Sequence, residues 1–456
     1  MMFSRVSPAR LGGTQHPPRP FPLRHQLPRV IAAALLLVTV AGCTGGGGSA
    51  EPEGTIVFWH GWSLPNDIAA LQKNIDAFED ANPDITVKTV PNVSDDKILQ
   101  GLRTANGPDV VSSFTASAVG ALCNGALSDL APDLKAAGIN TDEVFVPARI
   151  GYTQYEGDQC TLPLLGDAIG LYYNTDMFAA AGITEPPKTW EQFTEDAVAL
   201  TEKSGGSYDP LGFMPSVTGY ESDIGTWMNQ WGPTYFTADG KSNLANDPRV
   251  TEFFLYEKSL IDALGPYTDL REFRAGFGEE FSAQNPFETG QVAMAFDGEW
   301  RIANIATDGS TVNYAVAPLP VPEDQLDSYG KGFLTGTVIG ISEKSAKHND
   351  AWKLVQYLTT DTDALVSFGN TIQNLPSTVA GLQSPDLPTD PAFRTFLEIA
   401  ANPNSGSTPP SINGGEYLTI LGRFAEKWEA GEVDDLHAAL ADVDKEIDAA
   451  NAQSAN

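Results

Sequence analysis

Leu162-Pro-Leu-Leu-Gly-Asp-Ala-Ile-Gly-Leu-Tyr-Tyr-Asn-Thr-Asp-Met-Phe-Ala-Ala-Ala-Gly-Ile-Thr-Glu-Pro-Pro-Lys-Thr-Trp-Glu-Gln-Phe193 is the stretch on which the fold turns. Ala168 to Tyr173 is apolar and uncharged, which predicts a buried strand. Asp167 stands directly before it. Asp176 to Ala181 predicts a short helix stopped by Gly182. Pro186-Pro187 forces an extended connector, and Thr189 opens the next helix. Thr189 and Gln192 have capping-box spacing, so each side chain is expected to bond a backbone N–H of the other. A strand that leaves one lobe for another, with a carboxylate at its mouth, reads as a hinge that also meets a ligand.

The chain has 456 residues, more than one core usually holds, so two lobes are expected. Its formal charge is −32. All five Arg of the first 42 residues precede any acid, so removing that segment leaves −37. A field of that sign repels nucleic acid and anionic lipid surfaces. CxxC and His-rich patterns are missing, so neither a metal nor a cofactor is expected.

The N-terminus reads as a targeting segment. Arg5, Arg10, Arg19, Arg24 and Arg29 precede an apolar run, Val30 to Val40, too short to span a bilayer comfortably. Val40-Ala41-Gly42-Cys43 resembles a lipoprotein signal box, with residues 1–42 removed and Cys43 lipidated. Ordinary secretory cleavage, with Cys43 incidental, is the other reading. Residues 43–53 then form a Gly/Ser-rich tether. Such an anchor puts the protein outside the cytoplasm, held to the cell membrane by its lipid alone. Two Cys remain, Cys123 and Cys160. In an exported protein they point to one disulfide; two buried free thiols are the alternative.

Further along, Thr55 to Trp59 predicts a strand. Ile68, Leu71, Ile75 and Phe78 predict a helix, and Ile85 to Val90 a second strand. Ser94 is expected to cap a second helix, and Val110-Val111 begins a third strand. This βαβαβ rhythm predicts a mostly parallel sheet with helices on its faces. Ligands then bind beyond the strand ends, at the loops after Trp59, after Val111 and around Asp167. Asp247-Pro248 predicts a helix start. Helices are also expected over Glu279 to Thr289 and through Gly415 to Asn451, and strands over Val292 to Phe296, Asn313 to Ala317 and Gly332 to Ile341.

The order of these parts resembles the extracellular solute-binding proteins of family 1, the sugar-binding subunits of bacterial ATP-binding cassette importers. Gly170-Leu-Tyr-Tyr-Asn-Thr-Asp176, Pro186-Pro-Lys-Thr-Trp-Glu-Gln-Phe193, Phe287-Glu-Thr-Gly-Gln-Val-Ala-Met-Ala-Phe-Asp-Gly-Glu-Trp300, Tyr314-Ala-Val-Ala-Pro-Leu-Pro320 and Gly340-Ile-Ser-Glu-Lys-Ser345 carry the resemblance. It implies an α/β, two-lobe, periplasmic-binding-protein-like clamp with discontinuous lobes and a central ligand cleft. Lobe 1 is expected over 54–165 and 310–358, and lobe 2 over 166–309 and 359–456. The implied protein is a monomer that is no enzyme. It captures a small carbohydrate, a di- or oligosaccharide, and delivers it to a membrane permease.

A sugar offers hydroxyls at its rim and apolar faces above and below, so its site needs carboxylates or amides and aromatic plates. The resemblance implies Asp167 as the binding carboxylate and Trp300 as the stacking plate. A turn cap and a packed core Trp are the alternatives. Glu299 is expected to add a hydrogen bond. His60 and Trp62 follow the first strand, on a loop expected at the cleft. Tyr220 and Trp227 are candidate second-lobe aromatics, although Trp227 and Trp231 also fit a core stripe. Gly336 and Thr337 resemble a strand edge that approaches the ligand, and Tyr417 a late contact. After Val111 the chain reads Ser112-Ser-Phe-Thr115, without the Trp and Asp of maltose-type relatives. Ser113 or Phe114 fills that place, which argues against a long maltodextrin. A glycerophosphodiester or polyol ligand is the second reading. A secreted glycoside hydrolase, with Asp167 and Glu299 as a carboxylate pair about 5 to 9 Å apart, is the third.

Overall fold

The computed structural model describes Gly54–Ser454 apart from Thr115 and Thr218. The signal segment, Cys43 and the whole tether lie outside the described residues. The strands are β1 Thr55–Trp59, β2 Thr86–Val90, β3 Val110–Ser113, β4 Leu162–Asn174, β5 Lys203–Ser204, β6 Ser207–Tyr208, β7 Met294–Gly298, β8 Tyr314–Ala317, β9 Phe333–Ile341 and β10 Leu375–Pro376. β5 and β6 form a separate hairpin; the other eight make one sheet.

β4 is the axis of that sheet. Its first half pairs with β9, and its second half is shared between β7 and β8. Leu162, Leu164 and Leu165 are buried in a first core with Ile56, Phe58, Leu71, Ile339 and Phe368. From Ala168 onward β4 belongs to a second core, built around Trp190, Trp227, Phe253, Phe296 and Tyr417. β9 makes the same passage in reverse, with Leu334 in the second core and Ile339 and Ile341 in the first. The crossing point is Gly166 opposite Gly336, with Leu375 of β10 on the other side of Gly166. Tyr314 and Val316 pack on the second core, and Leu365 and Phe368 enter the first.

Several expectations need correction. β2, β1 and β3 are parallel, but β9, β4, β7, β8 and β10 join the sheet antiparallel. The parallel βαβ rhythm covers only the first three strands, because β9 returns to β3 from far along the chain. Pro163 lies inside β4 rather than outside it. A register shift between Pro163 and Leu165 accommodates it, as expected where a residue has no N–H for the ladder. Ser94 precedes its helix without a side-chain cap bond. Thr189 accepts from Gln192 N, but the Gln192 amide oxygen accepts from Lys188 N, one residue earlier than a reciprocal box requires. No helix forms over Glu279 to Thr289, which is a series of turns; Pro286 holds the preceding Asn285 away from helical geometry. Asp247 does cap the helix Pro248–Leu264.

Candidate functional site

Three segments meet where the chain passes between the cores, and each brings a polar group. β4 brings Asp167, one residue beyond Gly166. The turn between β7 and the helix Trp300–Asp308 brings Glu299. The residue before β10 is Asn374. Asn374 Nδ2 donates to Asp167 Oδ1 and, at 3.3 Å, to Glu299 Oε1. The backbone N–H of Ala168 donates to Glu299 Oε2 at 3.1 Å. Glu299 is fully buried, so its Ala168 bond locks it to β4.

A fourth group was not foreseen. Arg149, on the helix Pro147–Gly151, is completely buried. Its guanidinium lies against Gly166, where a Cβ would fall 2.0 Å from Cζ. Arg149 Nη1 donates to the Pro376 carbonyl of β10. Tyr152, just after this helix, donates its hydroxyl to Thr335 O of β9 at 3.2 Å. The sequence signal was a lone charge among Phe145, Val146 and Ile150, all buried.

The electrostatics follow from this packing. Burial pushes the Asp167 carboxyl up; the hydrogen bond from Glu299, the Arg149 charge and Asn374 oppose that shift. Burial pushes Glu299 much further up, and the neighbouring Asp167 charge adds to it.

Trp300 follows Glu299 and is partly exposed, with its ring folded over Gly298, where a Cβ would fall 2.2 Å from Cζ3. Gly336 and Thr337 are buried in β9, opposite Gly166 and Leu165. In the first lobe, His60 has no exposed surface and sits between the rings of Phe58 and Trp62. Burial lowers its pKa to about 4, so it stays neutral. Trp62 is also buried and packs edge-on against Phe114 and Phe368. Phe114 is the exposed plate, 46% accessible, and Trp62 backs it. Ser113 lies within the sheet opposite Val338.

In the second lobe, Tyr220 is half-buried and donates its hydroxyl to Gly278 O. It borders a cavity of about 280 Å³ with Phe213, Arg274, Phe277 and Asp297. Glu221, beside Tyr220, is pushed well up by burial and by Asp297. Trp227 has no exposed surface and packs edge-on against Phe213, Phe253 and Phe296. It supports the lobe from within rather than facing a cleft. Tyr417 is likewise buried, its hydroxyl donating to Pro409 O at 2.8 Å. The segment before it, Ser411–Gly415, packs on Ser117–Ala121 of the first lobe. The crossing thus gathers Asp167, Glu299, Gly336 and Thr337, while His60, Trp62, Trp227 and Tyr417 lie inside the two cores.

The sequence model of the bacterial extracellular solute-binding proteins matches residues 61–364, and this chain belongs to that family. A Brucella abortus protein described as a binding protein is 27% identical over 293 residues, 62% of this chain. The chain spans 66% of the length of that relative. The maltotriose-binding protein of Pyrococcus abyssi is 21% identical over 87% of this chain and 82% of its own. The sn-glycerol-3-phosphate-binding periplasmic protein of Escherichia coli is 25% identical over 66% of this chain and 68% of its own. The fold matches solved two-lobe structures. CpMnBP1 with mannotriose bound aligns at a TM-score of 0.72 and 22% identity, over 86% of this chain and 99% of that one. The sugar-binding protein MalE of Xanthomonas citri aligns at 0.70 and 20%, over 88% and 98%. Among the described residues, no helix is long and apolar enough to cross a membrane.

Proposed function

We propose that this protein is the substrate-binding subunit of an ATP-binding cassette importer, and that it captures a small carbohydrate between its lobes for delivery to a permease. The observation that carries this reading is the placement of Asp167. It is a charge-accepting carboxylate on the strand that joins the two cores, with partly exposed Trp300 next to its partner Glu299. A carboxylate accepts hydroxyl donors strongly, and an indole face suits the apolar side of a sugar ring. Phe114 and Tyr220 supply an aromatic surface from each lobe. The first lobe comprises the residues around the β1–β3 core together with the end of β9 and the helices up to about residue 372. The remainder forms the second.

Cys43 carries the lipid anchor in this reading, and Cys123 and Cys160 are bridged. Their Cα atoms are 5.5 Å apart, within the range a disulfide needs. The protein acts as a monomer and catalyses nothing. A phosphate-bearing polyol is the second reading, favoured by Arg274 at the cavity beside Tyr220, since phosphate recognition calls for Arg.

Thermal shift of the purified protein against a panel containing mannobiose, maltotriose and sn-glycerol-3-phosphate tests this. A ligand of the folded state raises the melting temperature. A shift with a sugar, and unchanged sugar by chromatography after long incubation, is expected. A shift with the phosphate alone favours the second reading, and hydrolysis of the glycan overturns both.

A further inference from the structure

The cavity of about 280 Å³ beside Tyr220 has an apolar floor. Phe213, Val292, Met294 and Phe296 line it as buried members of the second core, and Phe277 packs against that core. Tyr220, Arg274 and Phe277 are partly exposed, which places the mouth on their side. The polar side chains of the wall are already engaged within the protein. Tyr220 donates to Gly278 O, Ser222 Oγ to Ser216 O at 3.0 Å, and Arg274 Nη1 to Ser216 Oγ at 3.0 Å. Asn285 donates to Glu280 O and accepts from Phe287 N. Asp297 accepts from Gly298 N at 2.9 Å and from Arg301 Nε at 2.7 Å. A guest hydroxyl would give up water here and meet donors and acceptors bonded elsewhere, which is unfavourable. An apolar guest gains by leaving water. An engineered apolar cavity of about 150 Å³ takes up benzene, so this one has room for an aromatic ring. β7 joins the cavity to the crossing. Its residues Met294 to Asp297 line the wall, and the chain then runs through Gly298 to Glu299 and Trp300.

We propose that this cavity is a second subsite, which takes the ring-sized apolar substituent of a glycoside, so that the preferred ligand is an aryl-substituted sugar. The sugar half of that ligand rests on the carbohydrate reading; the apolar guest does not. The sugar lies against Trp300 with its hydroxyls on Asp167, and the aryl group passes Tyr220 to enter between Phe213, Phe277 and Phe296. Ring edges and faces attract one another, so these aromatic walls suit an aromatic guest. Unsubstituted sugars bind at Trp300 and Asp167 alone, and more weakly.

The first test is calorimetry of the wild type with maltose, mannobiose and the 4-nitrophenyl glycoside of each. An aryl glycoside is expected to bind about tenfold or more tightly than its parent sugar, from the removal of one ring from water. Equal affinities overturn the proposal. Ala295, which lines the cavity, offers the blocking variant. Ala295→Phe fills the space, so it should lower the aryl glycoside to the affinity of the parent sugar and leave the parent sugar unchanged. A preference for the aryl form that survives in Ala295→Phe overturns the proposal as well, and the wild-type comparison stands even if that variant does not fold. The second test is saturation-transfer NMR with benzyl alcohol alone. Transfer is expected in the wild type and not in Ala295→Phe; none in the wild type overturns the apolar subsite. If benzyl alcohol binds and no sugar or glycoside does, the carbohydrate reading fails while the apolar guest stands. Displacement of benzyl alcohol by sn-glycerol-3-phosphate would give the cavity to a phosphate and overturn the proposal.

Discussion

Gly166 of β4 faces Gly336 of β9 at the point where both strands leave one core for the other. Neither position has room for a side chain. At Gly336, φ is +148° and a Cβ would fall 2.4 Å from Leu165 O, which is backbone. The Gly336→Ala variant is expected to lose about 1–3 kcal/mol, the usual cost of forcing such a conformation. Gly151→Ala is the control, since a Cβ there meets nothing within 4 Å. Equal urea midpoints for the two variants would contradict this account of the crossing.

Asp167 and Trp300 are expected to contribute separately to binding. Asp167→Ala and Trp300→Ala should each weaken the sugar found by the panel about tenfold or more, roughly 1.4 kcal/mol, with melting curves still cooperative. Both lobes contact ligand only when closed, so small-angle scattering should give a smaller radius with ligand than without. Wild-type affinity in both variants would remove these residues from the site.

A second carboxyl pair lies deep in the second lobe. Glu257 has no exposed surface, and Glu429 beside it accepts from Val217 N at 2.7 Å and from Ser216 Oγ at 3.3 Å. Burial raises Glu257 well above the ordinary range, and Glu429 adds to that. A raised carboxyl stabilises the fold below its unfolded pKa and loses that contribution as pH climbs through the folded one. Stability should therefore fall as pH rises from the ordinary Glu range toward Glu257's raised pKa. Glu257→Gln, which mimics the protonated form, should flatten the decline. Urea denaturation over that window checks this; identical slopes would refute it.

The two tethering features have simple readouts. Cys43→Ala should release the protein into the medium, and a variant that stays in the membrane fraction would show that Cys43 is not the anchor. The paired Cys123→Ser/Cys160→Ser change should lower stability by about 2–4 kcal/mol if the bridge is native. Free thiols counted in the denatured wild type would contradict the bridge.

The solute-binding fold was legible because its signals are local. Asp247-Pro248 starts a helix where its cap predicts, Gly182 ends one as expected, and the alternation of strand and helix up to Val110 is plain. β4 was read too short, because Pro163 and Gly166 look like breakers. A bulge and a close contact with Arg149 explain both, and neither is visible in one strand's sequence. Asp167 and Glu299 are both candidates from the sequence; Asn374 and Arg149 are not. Asn374 reaches Asp167 from the segment before β10, and Arg149 packs on the neighbouring Gly166; no spacing rule joins either to Asp167. Trp227 and Tyr417 lie buried in the second core, and an aromatic residue reads alike in sequence whether it faces a ligand or fills a core.

The shared strand also dictates how the chain must assemble. Val110 pairs with Ile341, and the first core closes only when Ile339, Leu354 and Phe368 arrive. A growing chain that has already made β1, β2 and β3 must leave Ile56 and Phe58 without part of their cover while much of the second lobe is still being synthesised. Contacts so distant in sequence slow folding and prolong the exposure of apolar surface. For a polypeptide bound for export, that delay is useful, because the half-made chain stays threadable until its last third is present.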